Sequence, residues 1–273
     1  MTLVPLLGNL AATAAVVALV MLATLGVALR LRRHSVIDTV WGLGFVIVAA
    51  VSFFLSGLQG EGVTARRALV LALTAVWGLR LAWHIGRRAR GRGEDPRYAA
   101  LLRRCAGPVV PFTLRTIYWP QGRTMWVVSL PVQVAMYQNA SLGVITVLGV
   151  AVWTTGFLFE AVGDHQLARF TADPANRGKV LDRGLWAWTR HPNYFGDATV
   201  WWGMFLLACS HWSGLPTVVG PILMTHMLVN RTGKALLERR LARTRGPEYA
   251  AYAERTSGFL PRPPRRRRAG DRG

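Results

Sequence analysis

Long apolar stretches separated by short polar segments dominate the chain, and most approach the about 20 residues needed to cross hydrocarbon. They predict membrane-spanning helices at 4–29, 36–57, 68–85, 112–136, 142–162, 193–210 and 214–230. Prolines interrupt the fourth stretch, so either a kinked helix or an interfacial segment with a shorter span fits it. The first stretch is too long and lacks the basic start of a cleaved signal peptide, so a retained span is expected. The pattern predicts an all-α, polytopic membrane helix bundle of about seven spans.

The basic residues are placed unevenly between these stretches. The chain has 273 residues, 52% of them hydrophobic, and a net charge of +20. Four segments carry 30 of the 33 Lys and Arg residues, namely 30–35, 86–123, 163–192 and 231–273. All four segments lie on the same side of the membrane if successive spans cross it in opposite directions. Because Lys and Arg are enriched on the cytoplasmic side of membrane proteins, this distribution predicts an external N-terminus and a cytoplasmic C-terminus. The protein would be a multi-pass protein of the cell inner (plasma) membrane.

The positive charge also bears on partners and domains. These charges flank apolar spans without a recognised nucleic-acid motif, so no nucleic-acid partner is expected. Anionic phospholipid is expected at the basic loops and tail. One domain is predicted over 1–260, followed by a disordered basic tail over 261–273, and no oligomeric state is predicted. A short helix is expected around Tyr98–Arg104, and a helix over 232–245 that ends at Gly246-Pro247.

Polar side chains concentrate at the predicted cytoplasmic end of five spans. They are Asp38, Arg80, His84, Glu160, Asp164, Asn193, Asp197, Asn230, Arg231, Lys234 and Glu238. Ionisable groups in a membrane segment are costly and usually serve a function, which predicts a site open to the cytoplasm. Two alternatives stay open: Arg80 and His84 would snorkel to the headgroups, and Asp38 would simply pair with Arg80. No His, Cys or carboxylate spacing indicates a metal.

The segment 190–197, RHPNYFGD, carries the most specific signal. Pro192 suits the first turn of a helix, whose N-terminus would face the cytoplasm. Such an end presents free N–H groups and a partial positive charge, which suits a phosphate. Arg183, Arg190 and His191 add donors. Neither a Rossmann nor a Walker glycine motif occurs, so the prediction is an anionic, phosphate-bearing cytosolic ligand held in another way.

These residues match a known family. The segment WTRHPNYFGDATVWWG, preceded by FEAVGDHQLARFTADPANRGKVLDRGLW, resembles the steroid 5-alpha-reductase superfamily, and within it a bacterial branch of functionally uncharacterised membrane proteins. DTVWGLGF, WGLRLAWHIGRRARGRGEDPRYA and the final LLERRLA and YAAYAERTSGFLPRPP segments fit the same branch. The resemblance implies an enzyme that uses NADPH to reduce a carbon–carbon double bond in a steroid-like or other unsaturated lipid drawn from the bilayer.

The resemblance also implies roles for residues. The C-terminal half, 142–260, would form the cofactor-binding core. The implied cofactor contacts are Arg80, Asp164, Arg169, Arg183, Asn193, Tyr194, Asp197 and Glu238. The steroid reductases polarise the substrate carbonyl with a glutamate of the second span and a tyrosine of the third. Asp38 lies near the first position, whereas Trp77 takes the second and cannot act as a general acid. The catalytic candidates are therefore Asp38, His84 and Tyr194.

Two alternatives remain open at this point. The RHPNY element also resembles the isoprenylcysteine carboxyl methyltransferases and phospholipid methyltransferases, which bind S-adenosylmethionine. Their pattern continues with a Glu-Glu pair after the next span, where this chain has Glu238 followed by Arg239. A non-catalytic lipid-binding membrane scaffold is the third possibility. A scaffold without catalytic activity would not need buried carboxylates on only one side of the helix bundle.

Overall fold

The computed structural model describes residues 2–231 and 233–264, and its regular elements there are helices. The α-helices are α1 (Leu3–Leu31), α2 (Val36–Leu58), α3 (Thr64–Ala89), α4 (Pro96–Leu102), α5 (Val109–Thr113), α6 (Trp119–Val128), α7 (Leu130–Ala135), α8 (Val144–Ala172), α9 (Leu185–Trp188), α10 (Pro192–Ala208), α11 (Val219–His226) and α12 (Lys234–Arg255). Short 3-10 and π turns and one isolated β-bridge, Thr189 with Ser257, complete the described part. The predicted all-α class is confirmed.

Five helical segments are long and apolar enough to cross a membrane. They are α1, α2, α3, α8 and the stretch Trp212–Arg231, which joins a 3-10 turn, α11 and a π turn. The protein is therefore a multi-pass membrane protein. Of the other two predicted spans, α10 has 17 residues and 112–136 is divided among shorter helices. The count of seven spans and the orientation of the termini stay predictions.

The divided region 109–135 follows a helical path with two irregularities. A π turn over Leu114–Tyr118 separates α5 from α6, and Ser129 separates α6 from α7. The junction residues Leu114, Trp119 and Ser129 all keep right-handed helical backbone angles. Whether this path is a kinked span or an interfacial segment with a shorter span stays a prediction. Prolines explain the breaks, because each removes a backbone donor and crowds the preceding turn.

The chain forms two compact units. The first comprises Met1–Thr146 and Phe205–Gly220, and the second comprises Val147–Met204 and Pro221–Gly273. The predicted single domain over 1–260 stays a prediction. Of the predicted tail, Arg262 donates its backbone N–H to the carbonyl of Trp188 at 3.0 Å, so that ordered packing reaches this residue. Residues 265–273 lie outside the described part.

Direct backbone contact joins α2 and α3 in the first unit. A methyl group on Gly42 would lie 2.2 Å from the carbonyl oxygen of Gly78, and one on Gly78 would lie 2.5 Å from that of Gly42. Beside this contact, the rings of Phe45 and Trp77 pack edge to face at 5.5 Å. Small residues at helix contacts allow this close approach in membranes. Both glycines belong to the two N-terminal segments that resemble the reductase superfamily.

Replacing Gly42 with alanine is expected to destabilise the protein by about 1–3 kcal/mol, because the methyl group has no room beside the α3 backbone. Gly8→Ala is the matched control, since nothing lies within 4 Å of a methyl group on Gly8 in α1. Thermal unfolding of both variants in detergent measures the difference. Equal melting temperatures for the two variants would contradict the close α2–α3 contact.

A similar contact joins α8 and α10 in the second unit. Gly156 and Gly163 on α8 are seven residues apart, as are Gly196 and Gly203 on α10. A methyl group on Gly196 would lie 2.4 Å from the backbone nitrogen of Glu160, and one on Gly163 would lie 3.1 Å from the Pro192 ring. The two helices therefore touch along about two turns, which brings the end of α8 to the beginning of α10.

Candidate functional site

The C-terminal segment holds the start of α10 in place within the second unit. Thr189 forms a parallel bridge with Ser257, and the Arg190 N–H donates to the Ser257 carbonyl at 2.9 Å. The Thr189 hydroxyl donates to the carbonyl of Phe259 at 2.8 Å. α10 then begins at Pro192, as the sequence predicted. The RHPNY motif and the final SGF segment are therefore two parts of one structure.

Arg190 is the centre of this structure. Its Nε donates to Glu238 Oε1 at 2.8 Å, and its Nη1 donates to the carbonyls of Ala253 at 2.8 Å and Thr256 at 3.0 Å. Glu238 and Ala253 lie on the two sides of the kink in α12, where Gly246 has a positive φ of 50° and Pro247 follows, and Thr256 comes directly after α12. The kink confirms the predicted helix end at Gly246-Pro247, and Arg190 joins the two halves of α12 to the start of α10.

Replacing Arg190 with methionine is expected to lower the stability of the folded protein by about 3 kcal/mol, because the Glu238 carboxylate and two carbonyls lose a charged donor. Adding Glu238→Gln should restore part of the loss, since the unpaired charge is then gone. Arg177→Met, at an exposed arginine of the same unit, serves as control. Thermal unfolding in detergent measures all four proteins. If Arg190→Met is as stable as Arg177→Met, Arg190 does not hold α12 in place.

His191 lies beside this ion pair and is 1% exposed. Its Nε2 lies 3.2 Å from Glu238 Oε1, and its ring stacks on Tyr194 with 5.3 Å between centroids and 8° between planes. Nδ1 is buried and has no hydrogen-bond partner among the described residues. Burial lowers the pKa of His191, although Glu238 opposes the shift. Burial would raise the pKa of Glu238, but the hydrogen bonds from His191 and Arg190 outweigh it and lower that pKa.

Acidification is expected to destabilise the protein partly through His191. Because its folded pKa is below 6.5, the unfolded chain binds the proton first, and stability falls as the pH drops below about 6.5. His34, whose pKa burial also lowers, adds to the loss. Glu238 contributes only below about 4.5. Melting temperatures between pH 7.5 and 5 should fall less steeply for His191→Gln than for the wild type. The same slope in both proteins would argue against a neutral, buried His191.

Two cationic side-chain ends lie close to Gly258. A methyl group on Gly258 would lie 2.9 Å from Lys234 Nζ and 3.1 Å from Arg190 Nη2. The absence of a side chain at this position allows both cationic ends to approach the backbone. Lys234 also begins α12, whose first N–H groups carry partial positive charge. We call Arg190, Lys234 and Gly258 the cation pocket. Its chemistry suits a phosphate oxygen.

A second polar contact connects α8 with the start of α10. Asn193 Nδ2 donates to Asp164 Oδ1 at 3.1 Å, and Asn193 Oδ1 accepts from the Tyr194 backbone N–H at 3.1 Å. Asp164 and Glu160 are 6% and 2% exposed, so both carboxylates are buried. A methyl group on Gly233 would lie 3.1 Å from the Tyr194 ring. The Tyr194 side chain of α10 therefore packs against the residues that precede α12.

The structure thus brings together six of the predicted cofactor residues in the second unit. They are Asp164, Arg190, His191, Asn193, Tyr194 and Glu238. Asp197 lies one turn further along α10 and is half-buried. Arg169 and Arg183 are exposed, and the Arg183 guanidinium lies 6.0 Å above the Phe170 ring. Their predicted contact with a cofactor stays a prediction.

The first unit contains a separate polar cluster around Asp38. Asp38 Oδ2 accepts from Arg97 Nη2 at 2.6 Å, and its Oδ1 accepts from the Tyr98 hydroxyl at 2.6 Å. Gln121 donates to the Tyr98 oxygen at 3.3 Å and accepts from the Trp41 indole. Asp38 therefore forms an ion pair with Arg97 of α4, and the Arg80 pairing that the sequence left open stays a prediction. The short helix predicted around Tyr98 is confirmed.

Three α3 residues considered in the sequence analysis, Trp77, Arg80 and His84, also lie in the first unit. Trp77 is 1% exposed and packs against Phe45, so it fills the interior beside α2. Arg80 and His84 lie one turn apart on α3 and are half-buried. Sequence reasoning missed Tyr98 as a functional candidate, although GEDPRYA belongs to a segment that resembled the family. It also missed Gly258, for which no local signal exists.

The fold and these clusters define a multi-pass membrane protein with buried polar sites. The family described as "Protein of unknown function (DUF1295)" matches residues 24–256, and the chain belongs to this family. It is also 22% identical over 272 residues to a protein of Schizosaccharomyces pombe described as "Uncharacterized protein C594.04c". That alignment covers 87% of this chain and 75% of the yeast protein. No solved structure matches the chain.

Proposed function

We propose that the protein is an oxidoreductase of the steroid 5-alpha-reductase type, which uses NADPH to reduce a carbon–carbon double bond in a steroid-like or other unsaturated lipid. The cation pocket is the observation that carries this proposal. Membership of the DUF1295 family and the RHPNYFGD segment support it. The predicted orientation, with basic loops inside a cell inner membrane, would put the pocket on the cytoplasmic side, where NADPH is available.

The residues of the cation pocket fit NADPH better than S-adenosylmethionine. NADPH carries a pyrophosphate and a 2′-phosphate, whereas S-adenosylmethionine carries a single carboxylate, two cationic groups and no phosphate. Lys234 Nζ and Arg190 Nη2 both lie beside Gly258, and two adjacent cations favour a phosphate. Glu238 neutralises only part of this charge.

Neighbouring side chains suit the remaining parts of the ligand. The half-buried Tyr194 ring, stacked on the buried His191, is of the kind on which a purine or nicotinamide ring packs. His191 Nδ1 is a buried polar atom that a ligand donor or acceptor would satisfy. Asn193, fixed by Asp164, adds an amide at the start of α10. Together they form a polar and aromatic wall beside the two cations.

Reduction of a double bond adds a hydride and a proton to its two carbons. NADPH, when bound, supplies the hydride. For the proton, the first unit offers the pair of Tyr98 and Asp38, whose oxygens are 2.6 Å apart. Burial, and next the Asp38 charge, raise the pKa of Tyr98, so the phenol keeps its proton at neutral pH. We assign the donor role to Tyr98, positioned by Asp38. His84 and Tyr194 are the other candidates for this role.

Isotope transfer in membranes tests the reaction directly. Membranes that contain the overproduced full-length protein receive either NADPH deuterated at C4 of the nicotinamide or S-adenosylmethionine with a deuterated methyl group. The masses of the extracted lipids are then measured by mass spectrometry. The proposal predicts lipids that carry one deuterium from NADPH. Label from the methyl donor instead would identify a methyltransferase. Label from neither, in lipids that accumulate on the protein, would favour a non-catalytic scaffold.

A further inference from the structure

A small cavity lies at the beginning of the interrupted helical path 109–135. It has a volume of about 250 Å³ and is lined by Gly107, Pro108, Pro111, Phe112, Arg115 and Thr116. Its walls are mainly apolar, with one guanidinium and one hydroxyl at the rim. The π turn over Leu114–Tyr118 carries both polar groups. Such turns inside helices are frequent at functional sites. The cavity is separate from the residues assigned to the reductase reaction.

The charge around this cavity is positive and uncompensated. Arg115 is exposed, and within residues 2–231 and 233–264 it forms no ion pair. In the sequence, no Asp or Glu occurs between Asp95 and Glu160, whereas five arginines do. An anion from outside the chain is therefore the natural partner of Arg115. A guanidinium binds a phosphate through two parallel hydrogen bonds, which makes it the side chain suited to a phosphodiester.

The surroundings of Arg115 are those of a membrane surface. Trp119, one helical turn beyond, is 69% exposed, and Val109 and Val110 are 44% and 42% exposed. Exposed tryptophan next to arginine is typical of the headgroup region of a bilayer. The Thr116 hydroxyl donates to the Phe112 carbonyl at 2.7 Å, so its lone pairs can accept a bond from a ligand hydroxyl. Phe112 and the prolines give an apolar floor for glycerol and the first acyl carbons.

We propose that this cavity is a binding site for the headgroup of an anionic phospholipid, with the phosphodiester on Arg115 and the glycerol region on Phe112. The whole lipid does not fit in about 250 Å³, so its chains would extend along the exposed side of α5 into the bilayer. Phosphatidylglycerol has the required chemistry: one negative charge and a hydroxylated headgroup. Phosphatidylcholine has the same phosphodiester but a bulky cation that Arg115 repels.

Lipid titration of the purified full-length protein in detergent tests this site. Native mass spectrometry compares phosphatidylglycerol with phosphatidylcholine of the same acyl chains. Arg115→Gln is expected to weaken phosphatidylglycerol binding about tenfold, the effect of one charge-assisted hydrogen bond. Arg123→Gln, at an exposed arginine outside the cavity lining, is expected to change it less than about twofold. Phe112→Ala should weaken both lipids.

Three results would overturn the site. Equal weakening by Arg115→Gln and Arg123→Gln would show a diffuse attraction between charges. No preference for phosphatidylglycerol over phosphatidylcholine would remove the role of Arg115. Displacement of the lipid by inorganic phosphate at equal concentration would identify a plain anion site. None of these results depends on NADPH, so they leave the proposed reaction untouched.

Discussion

Replacing Tyr98 with phenylalanine is expected to reduce deuterium transfer from NADPH to lipid by at least about a hundredfold, because the phenol proton is lost while the ring remains. The hydroxyl donates to Asp38 at 2.6 Å, and this contact fixes it in place. NADPH affinity should stay unchanged, since none of the cation pocket residues is altered. Asp38→Asn should lower transfer as well, because the amide positions the phenol less firmly than the carboxylate.

Tyr137→Phe is the matched control for Tyr98→Phe. Tyr137 is likewise buried in the first unit, and its hydroxyl donates to Gln59 at 2.9 Å. It belongs to no proposed site, so its loss should leave deuterium transfer within about twofold of the wild type. Full transfer by Tyr98→Phe would exclude Tyr98 as proton donor and leave His84 and Tyr194. Equal losses in both variants would indicate damage to the fold of the first unit.

Replacing Lys234 with alanine is expected to weaken NADPH binding by about thirtyfold, the effect of one lost charge-assisted contact to phosphate. Gly258→Ala should have a similar effect for a steric reason, because its methyl group would displace the charged ends of Lys234 and Arg190. Only flexible side-chain ends would have to move, so the protein without ligand should melt within a few degrees of the wild type. The two variants test the charge and the space of the pocket independently.

The controls for these variants change the same chemistry elsewhere. Lys179→Ala removes an exposed lysine of the second unit, and Gly93→Ala adds a methyl group where nothing lies within 4 Å. Both should bind NADPH as the wild type does. If Lys179→Ala weakens binding as much as Lys234→Ala, general positive charge explains the affinity. If Gly258→Ala binds normally, the ligand does not enter the cation pocket.

The local pattern of apolar residues was sufficient to predict the long helices. α1, α2 and α3 contain long apolar runs without proline breaks in their interiors, and the structure gives each helix bounds within a few residues of the predicted ones. The stretch 112–136 contains prolines, whose effect on a helix depends on how neighbours satisfy the freed carbonyls, and a sequence pattern does not specify those neighbours. The kink of α12 at Gly246-Pro247 was predictable because both residues act on the local backbone.

The candidate site was predictable only where its chemistry is local. Pro192 and the basic residues before it predicted the start of α10 and a phosphate-binding character. The partners of Arg190 are 48, 63 and 66 residues away, and Asp38 and Tyr98 are 60 residues apart. Such pairs depend on the packing of whole helices, which no short window contains. Gly258 was unforeseeable for the same reason, since its importance comes from the cations that face it.

Equilibrium binding of NADPH to the purified full-length protein tests the central claim most directly. Calorimetric titration in detergent should give saturable binding of NADPH, weaker binding of NADH because it lacks the 2′-phosphate, and no binding of S-adenosylmethionine. Lys234→Ala should weaken the NADPH isotherm, whereas Lys179→Ala should leave it unchanged. Saturable binding of S-adenosylmethionine without any binding of NADPH would contradict the account.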